Sequence, residues 1–128
     1  MEKKWSRFWN SSTQKRKQRK YVFQAPMHVK HRFMGSCLSA EIRKEWNIRT
    51  VPVRKGDTVT VLRGDNKGKS GKVTKTSLAR TRIFVEGVET ARADGSKALY
   101  PVHPSNVMIT KLDLSDVKRK EKLERIKN

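Results

Sequence analysis

From Pro52 onward the apolar residues alternate with polar ones, and this change to a period of two restricts the possible folds more than any other feature of the chain. Val59 and Val61 share one face of an extended segment, as do Ile83 and Val85, and Val107 and Ile109. The pattern predicts strands over 57–63, 71–76, 82–86, 98–102 and 107–111. Asp94-Gly95 is a hairpin-turn signal. Pro101 has no N–H to donate to a ladder, so its strand must lie at an edge or break there.

Five short strands with glycine turns predict a mainly β fold, a small, partly open five-stranded barrel of the SH3-like kind. Before it, Ser36 to Asn47 reads as one short helix. Ser36 or Ser39 can cap its start, Leu38, Ile42 and Trp46 recur at four-residue intervals, and Asn47 suits its C-terminal end. That apolar stripe is expected to dock on the barrel. Ser115 to Lys127 reads as a short charged helix, stable only when docked, because isolated helices of fewer than about 12–15 residues are marginal.

The chain thus divides into a basic arm (1–35), a helix and linker (36–51), the barrel (52–112) and a charged C-terminal helix (113–128). At 128 residues there is room for one modest domain with appendages. Leu, Ile, Val and Phe number 28, of which residues 1–20 hold one, Phe8, and residues 53–112 hold 15. The core is local, and the arm cannot fold alone. No helical or strand period fits residues 1–24, which are expected to be irregular.

Lys and Arg number 31 against 12 acids, a formal charge of +19. Self-repulsion on that scale makes an isolated compact chain marginal unless an anion neutralises it. Nucleic acid is the leading partner, since each neutralised phosphate releases counterions; a merely soluble basic protein or a membrane-surface binder is the blander alternative. Residues 1–55 carry 15 basic and 3 acidic groups. The most cationic part is therefore the part least able to fold unaided, the pattern of an arm that orders on a polyanion. Its cations cluster at Lys15, Arg16, Lys17, Arg19 and Lys20, and again at Lys30, His31 and Arg32. Trp5, Phe8, Trp9, Tyr21 and Phe23 are interleaved with the first cluster. Such rings can stack on unpaired bases or pack on protein, and the sequence leaves both open.

The first predicted strand runs into a turn with glycines at 64, 68 and 71 and lysines at 67, 69 and 72. Glycine permits sharp turns and close approach of another backbone. Lys67, Lys69 and Lys72 suit a sugar-phosphate backbone as point charges, and Arg63 can grip a phosphate with two hydrogen bonds. The segment is no nucleotide-hydrolysing phosphate loop, because a strand rather than a helix follows and the glycine-lysine-serine/threonine spacing is missing.

Other chemistry is poorly supported. His28, His31 and His103 with Cys37 lack metal-ligand spacing, so neither a metal nor another cofactor is expected. Asp57, Asp65 and Glu86 could be imagined as a nuclease cluster, but salt bridges or turn formation account for Asp57 and Asp65 more simply. No nucleophile-base arrangement is present, and no catalytic residue is assigned. The single cysteine, Cys37, excludes an intrachain disulfide and is compatible with a reducing compartment. No apolar run is long enough for a membrane-spanning helix, and the N-terminus lacks the apolar region of a secretory signal.

Residues 53–79 resemble a KOW motif, the strand-loop-strand unit of certain ribosomal proteins and transcription elongation factors. The flanks choose between them: Ala25-Pro26-x-His28, Ser36-x-Leu38-Ser39, Pro52-Val53-Arg54-Lys55-Gly56-Asp57, His103-Pro104-Ser105-Asn106-Val107 and Ile109-Thr110-Lys111-Leu112. Together, over about residues 20–125, they resemble the archaeal and eukaryotic form of the large-subunit ribosomal protein family numbered twenty-four in the universal scheme and twenty-six in eukaryotes. The resemblance implies a non-enzymatic constituent of the large subunit that binds its rRNA early in assembly, near the mouth of the peptide exit tunnel. It implies that Arg54, Lys55, Arg63, Gly64, Lys67, Gly68, Lys69, Gly71, Lys72 and the Lys15–Lys20 cluster face RNA. The implied partners are large-subunit rRNA and neighbouring ribosomal proteins, with no membrane and no homo-oligomer. The implied location is the cytoplasmic ribosome, with nuclear or nucleolar assembly in a eukaryote. The alternative is a transcription-elongation accessory module on the same motif, for which residues 1–52 leave no room for a polymerase-binding domain. Trp5 and Trp9, and a C-terminal tail shorter than in many eukaryotic relatives, depart from the family pattern.

Overall fold

A computed structural model describes residues 5–128; residues 1–4 of the expected arm lie outside the described residues. Among the described residues seven strands form one mixed sheet: β1 (Gly35–Leu38), β2 (Thr50–Pro52), β3 (Thr58–Val61), β4 (Ser70–Ser77), β5 (Arg82–Ala91), β6 (Lys97–Val102) and β7 (Val107–Lys111). Their spatial order is β2-β1-β7-β3-β4-β5-β6. Four α-helices accompany them: α1 (Lys15–Phe23), α2 (Met27–Phe33), α3 (Ala40–Trp46) and α4 (Val117–Lys127). The fold is mainly β, as the alternation predicts.

The five expected strands are β3 to β7, with bounds that shift by a few residues and a β5 that runs on to Ala91. Five is a correction in number, because β1 and β2 extend the sheet. β1 pairs antiparallel with β2, Ser36 opposite Val51, and parallel with β7, Leu38 opposite Ile109. The ladder ends at β2 on one side and β6 on the other, so it does not close. β6 is an edge, and it carries Pro101, which needs no further partner there. The turn around Asp94-Gly95 joins β5 to β6: Arg92 N–H donates to Ser96 O at 2.8 Å, and Gly95 takes φ +89°.

Alternation explains the core. Val59, Val61, Val73, Ile83, Val85, Val107 and Ile109 are all buried, with Val88 and Val102 beside them. Leu38, Val51, Val53 and Met34 continue the cluster, and Ile42, Trp46 and Leu123 cover it from the helices.

The expected helix from Ser36 begins later. Residues 36–38 are strand: Leu38 N–H donates to Arg49 O at 3.1 Å, and the Ser36 hydroxyl is buried against Pro104 O. Helix α3 starts at Ala40 with Ser39 at its N-cap, although the Ser39 side chain makes no capping bond. Asn47 closes it in the left-handed conformation (φ 54°). Leu38, Ile42 and Trp46 all reach the core, but from two elements rather than one helical face.

The larger correction concerns the arm. Residues 1–24, expected to be irregular, form a 3-10 turn (Arg7–Ser11) and α1, and the second basic stretch forms α2. Lys, Arg and Gln are good helix formers without any apolar period, which a search for periodicity overlooks. Tertiary contacts hold these short helices. Trp5 stacks on Tyr21 with ring centres 5.4 Å apart and donates its indole N–H to Tyr21 O at 2.9 Å. Tyr21 meets Phe33 edge-on at 5.7 Å. Ala25-Pro26 breaks the run as expected, and Pro26 O accepts the N–H groups of Val29 and Lys30 in α2.

Helix α4 docks through a buried ion pair. Asp57 is fully buried and Arg119 is 6% exposed. The Asp57 carboxylate also accepts the backbone N–H groups of Arg54 (3.0 Å) and Asp113 (2.9 Å), while Arg119 donates to Asp113 O and Pro52 O. The charges of the pair are thus hydrogen-bonded on all sides, the condition under which a buried charge is tolerated. Leu123 is buried next to it, whereas Val117 and Ile126 stay exposed.

Candidate nucleic-acid interface

Strand β3 delivers the chain into a compact turn that β4 carries away. Gly68 N–H donates to Val61 O at 2.8 Å, and Val61 N–H to Lys69 O at 2.9 Å, which ties the neck of the turn. Gly64 and Gly68 both take φ +87°, with open space where a Cβ would stand. The glycines there serve the backbone path, and the path leaves Arg63, Lys67 and Lys69 on the surface. Lys69 Nζ donates to Asn66 Oδ1 at 2.9 Å. Among the described residues Arg63, Lys67 and Lys72 form no salt bridge, so their charges remain available to an external anion.

Gly71 differs from the other two. It lies on β4, where a Cβ would collide with Glu86 O of β5. Its reason is close strand approach, and it helps place Lys72, the exposed next residue.

Arg54 and Lys55 are exposed in the turn before β3. Arg54 is not free: its guanidinium donates to Asp116 at 2.6 Å. That hydrogen bond is the chief reason why the Asp116 carboxyl is held below its ordinary value of 3.8. On α1, Lys15, Arg16, Arg19 and Lys20 are exposed and Lys17 is half-buried. Lys15, Arg16, Arg19 and Lys20 recur at helical spacing on one broad face. Lys30, His31 and Arg32 occupy the last turn of α2, where cations complement the carbonyl end of the helix.

The fold brings together cations that sequence separates. A cleft of about 850 Å³ between α2, β2 and α4 gathers His31, Arg54 and Lys55 with Lys118 and Lys122. A smaller groove of about 230 Å³ sets Arg63 and Gly64 beside Arg82, Tyr100 and His103. Lys118, Lys122 and Arg82 escaped the reading of the sequence. The first two sit in a segment of nearly balanced charge, and Arg82 opens a strand far from the turn it faces. Among the described residues no group of His, Cys, Asp and Glu could hold a metal ion.

The candidate interface is an array of exposed cations on the sheet, with short cationic helices attached. Comparison with known proteins gives the family. The family model for the ribosomal proteins called L26 in eukaryotes and L24 in archaea matches residues 12–126. The chain is 54% identical over 110 residues to the large ribosomal subunit protein uL24 of Methanothrix thermoacetophila, covering 86% of this chain and 95% of that protein. With a match across nearly its whole length, the chain belongs to the ribosomal protein family that comprises eukaryotic L26 and its archaeal L24 counterpart.

Proposed function

We propose that this protein is a structural constituent of the large ribosomal subunit that binds and organises its rRNA during assembly, near the mouth of the peptide exit tunnel. The observation that carries the reading is the cationic stretch from Arg63 to Lys72, free of salt bridges among the described residues and held between strands anchored by the buried Val59, Val61 and Val73, in a chain of net charge +19. Membership of a ribosomal protein family supports it. In this reading β3, the turn and β4 are a KOW unit, and β3 to β7 are an open SH3-like body extended by β1 and β2.

The mechanism is electrostatic. Lysines on the turn and cations of α1 and α2 neutralise phosphates of several rRNA segments, so affinity comes mostly from counterion release and recognition is of RNA shape. The sheet supplies rigidity, and α1 and α2 follow the RNA away from it. Neighbouring ribosomal proteins cover part of the remaining surface. The protein has no catalytic role and works in the cytoplasmic ribosome, with nucleolar assembly if the source is eukaryotic. Sucrose-gradient fractionation of a tagged copy tests the reading: it sediments with large subunits and whole ribosomes. Sedimentation with RNA polymerase instead would favour an elongation-factor module.

A further inference from the structure

Between the cationic turn and the edge strand β6 lies the groove of about 230 Å³ lined by Val61 and Val102, both buried, and by Arg63, Arg82, Tyr100 and His103, with Asp65 the one acid against its two arginines. Its size falls below the usual range of small-molecule pockets, about 300–1,000 Å³, and suits a single flat group. Tyr100 is 46% exposed on the outer strand, an aromatic face that the fold leaves uncovered. Arg82 is fixed at the groove by Nη1 donating to Thr81 O at 2.9 Å and Arg80 O at 3.3 Å. The backbone N–H of Ser105 donates to His103 Nδ1 at 3.2 Å, which leaves Nε2 as the donor of the neutral ring.

We infer that this groove binds one unpaired nucleotide of the RNA, with the base stacked on Tyr100 and its phosphate held by Arg63 and Arg82. The inference rests on the RNA-binding reading above and deepens it. A phosphate alone could take a hydrogen bond from the Tyr100 hydroxyl, but it would leave the ring face and the buried valines of the groove uncovered. A base inside a duplex is stacked on its neighbours and cannot present its face to a side chain, whereas a splayed nucleotide can. The guanidiniums and the neutral imidazole donor then sit where the phosphate and the base edge of such a nucleotide need them.

The test uses the full chain with two probes, a short mixed-sequence single-stranded RNA carrying 5-iodouridine and a blunt RNA duplex of equal length. Irradiation is expected to crosslink the single strand to Tyr100, mapped by mass spectrometry. Tyr100→Ala is expected to weaken single-strand binding by about 5- to 150-fold, the range of one lost base–aromatic stack, and to leave duplex binding within about twofold. Tyr100→Phe should restore single-strand binding, and thermal melting of both variants should match the parent. Duplex binding that persists with no crosslink at Tyr100 and no effect of Tyr100→Ala would overturn the groove while sparing the RNA reading. Failure to bind either probe would overturn both. If Tyr100→Ala changes neither RNA affinity but impairs incorporation into the large subunit, the groove takes protein and the inference is wrong.

Discussion

Arg119 grips the carboxylate of Asp57 with two parallel hydrogen bonds, Nη1 to Oδ1 at 2.6 Å and Nη2 to Oδ2 at 2.7 Å, across 62 residues of sequence. The pair clamps α4 onto the turn that precedes β3. That same turn presents Arg54 and Lys55, and its Asp57 carbonyl accepts Val73 N–H of β4 at 2.8 Å. A buried charge pair thereby holds the base of the cationic hairpin, and its function is positional.

Breaking the pair should be costly. Arg119→Met strands a buried carboxylate and is expected to lower unfolding free energy by about 3–5 kcal/mol. Asp57→Ala should cost at least as much, because it leaves the buried Arg119 guanidinium without its carboxylate and removes the acceptor of the partly buried amides of Arg54 and Asp113. Urea unfolding measures both, and a loss below about 1 kcal/mol for either would show that α4 is not clamped this way.

The glycines of the hairpin separate by cause. Gly64→Ala and Gly68→Ala impose a left-handed conformation on an L-residue, at about 1–2 kcal/mol each, with no steric collision. Gly71→Ala drives a methyl group into the backbone of β5, which cannot yield without parting the strands. Its midpoint of denaturation should fall furthest of the three. Equal losses at all three positions would mean that β4 and β5 do not approach so closely.

Acid should weaken the fold in two stages. Burial, and then the positive charge of Arg82, push His103 below its ordinary 6.5. The folded chain therefore refuses a proton that the unfolded chain accepts, and stability falls as the pH drops from about 6.5 through the lowered folded value. Asp113 and Asp116 are depressed below 3.8, the first mainly by the N–H of Ser115 and the second by Arg54. Their contribution is complete above that value and is lost as the pH falls through their lowered values. A proton NMR titration should find His103 below 6.5, and Arg82→Gln should raise it. Titration of His103 at or above 6.5 in the parent would contradict the burial of its ring.

What the sequence made legible follows from the range of each interaction. Val59 with Val61 and Val107 with Ile109 announce their strands because alternation is a local signal. Asp94-Gly95 announces its turn for the same reason. Strand β1 is four residues long and runs into a helix, so Leu38 reads equally well as part of either. Asp57 reads as a strand-flanking acid bound for a salt bridge or a turn, and it serves both. Arg119, its partner, stands among charges that resemble a solvated helix face. The arm hid its helices because they lack an apolar stripe, and Trp5 is fixed by Tyr21, which only the fold brings near. At the interface the cationic turn was plain, while the approach of Arg82 and Tyr100 to Arg63 is a product of sheet order.

The most direct test of the account is the salt dependence of affinity for a large-subunit rRNA fragment, in the parent and in the variant with Lys67, Lys69 and Lys72 all replaced by Ala. If about six to ten phosphates are engaged, parent affinity should fall by about 10³–10⁵ between 50 and 200 mM salt. The variant should bind more weakly, with a log–log slope shallower by roughly 3 and an unchanged melting temperature. An affinity indifferent to salt, or a variant whose slope equals that of the parent, would contradict the assignment of the turn to RNA phosphates.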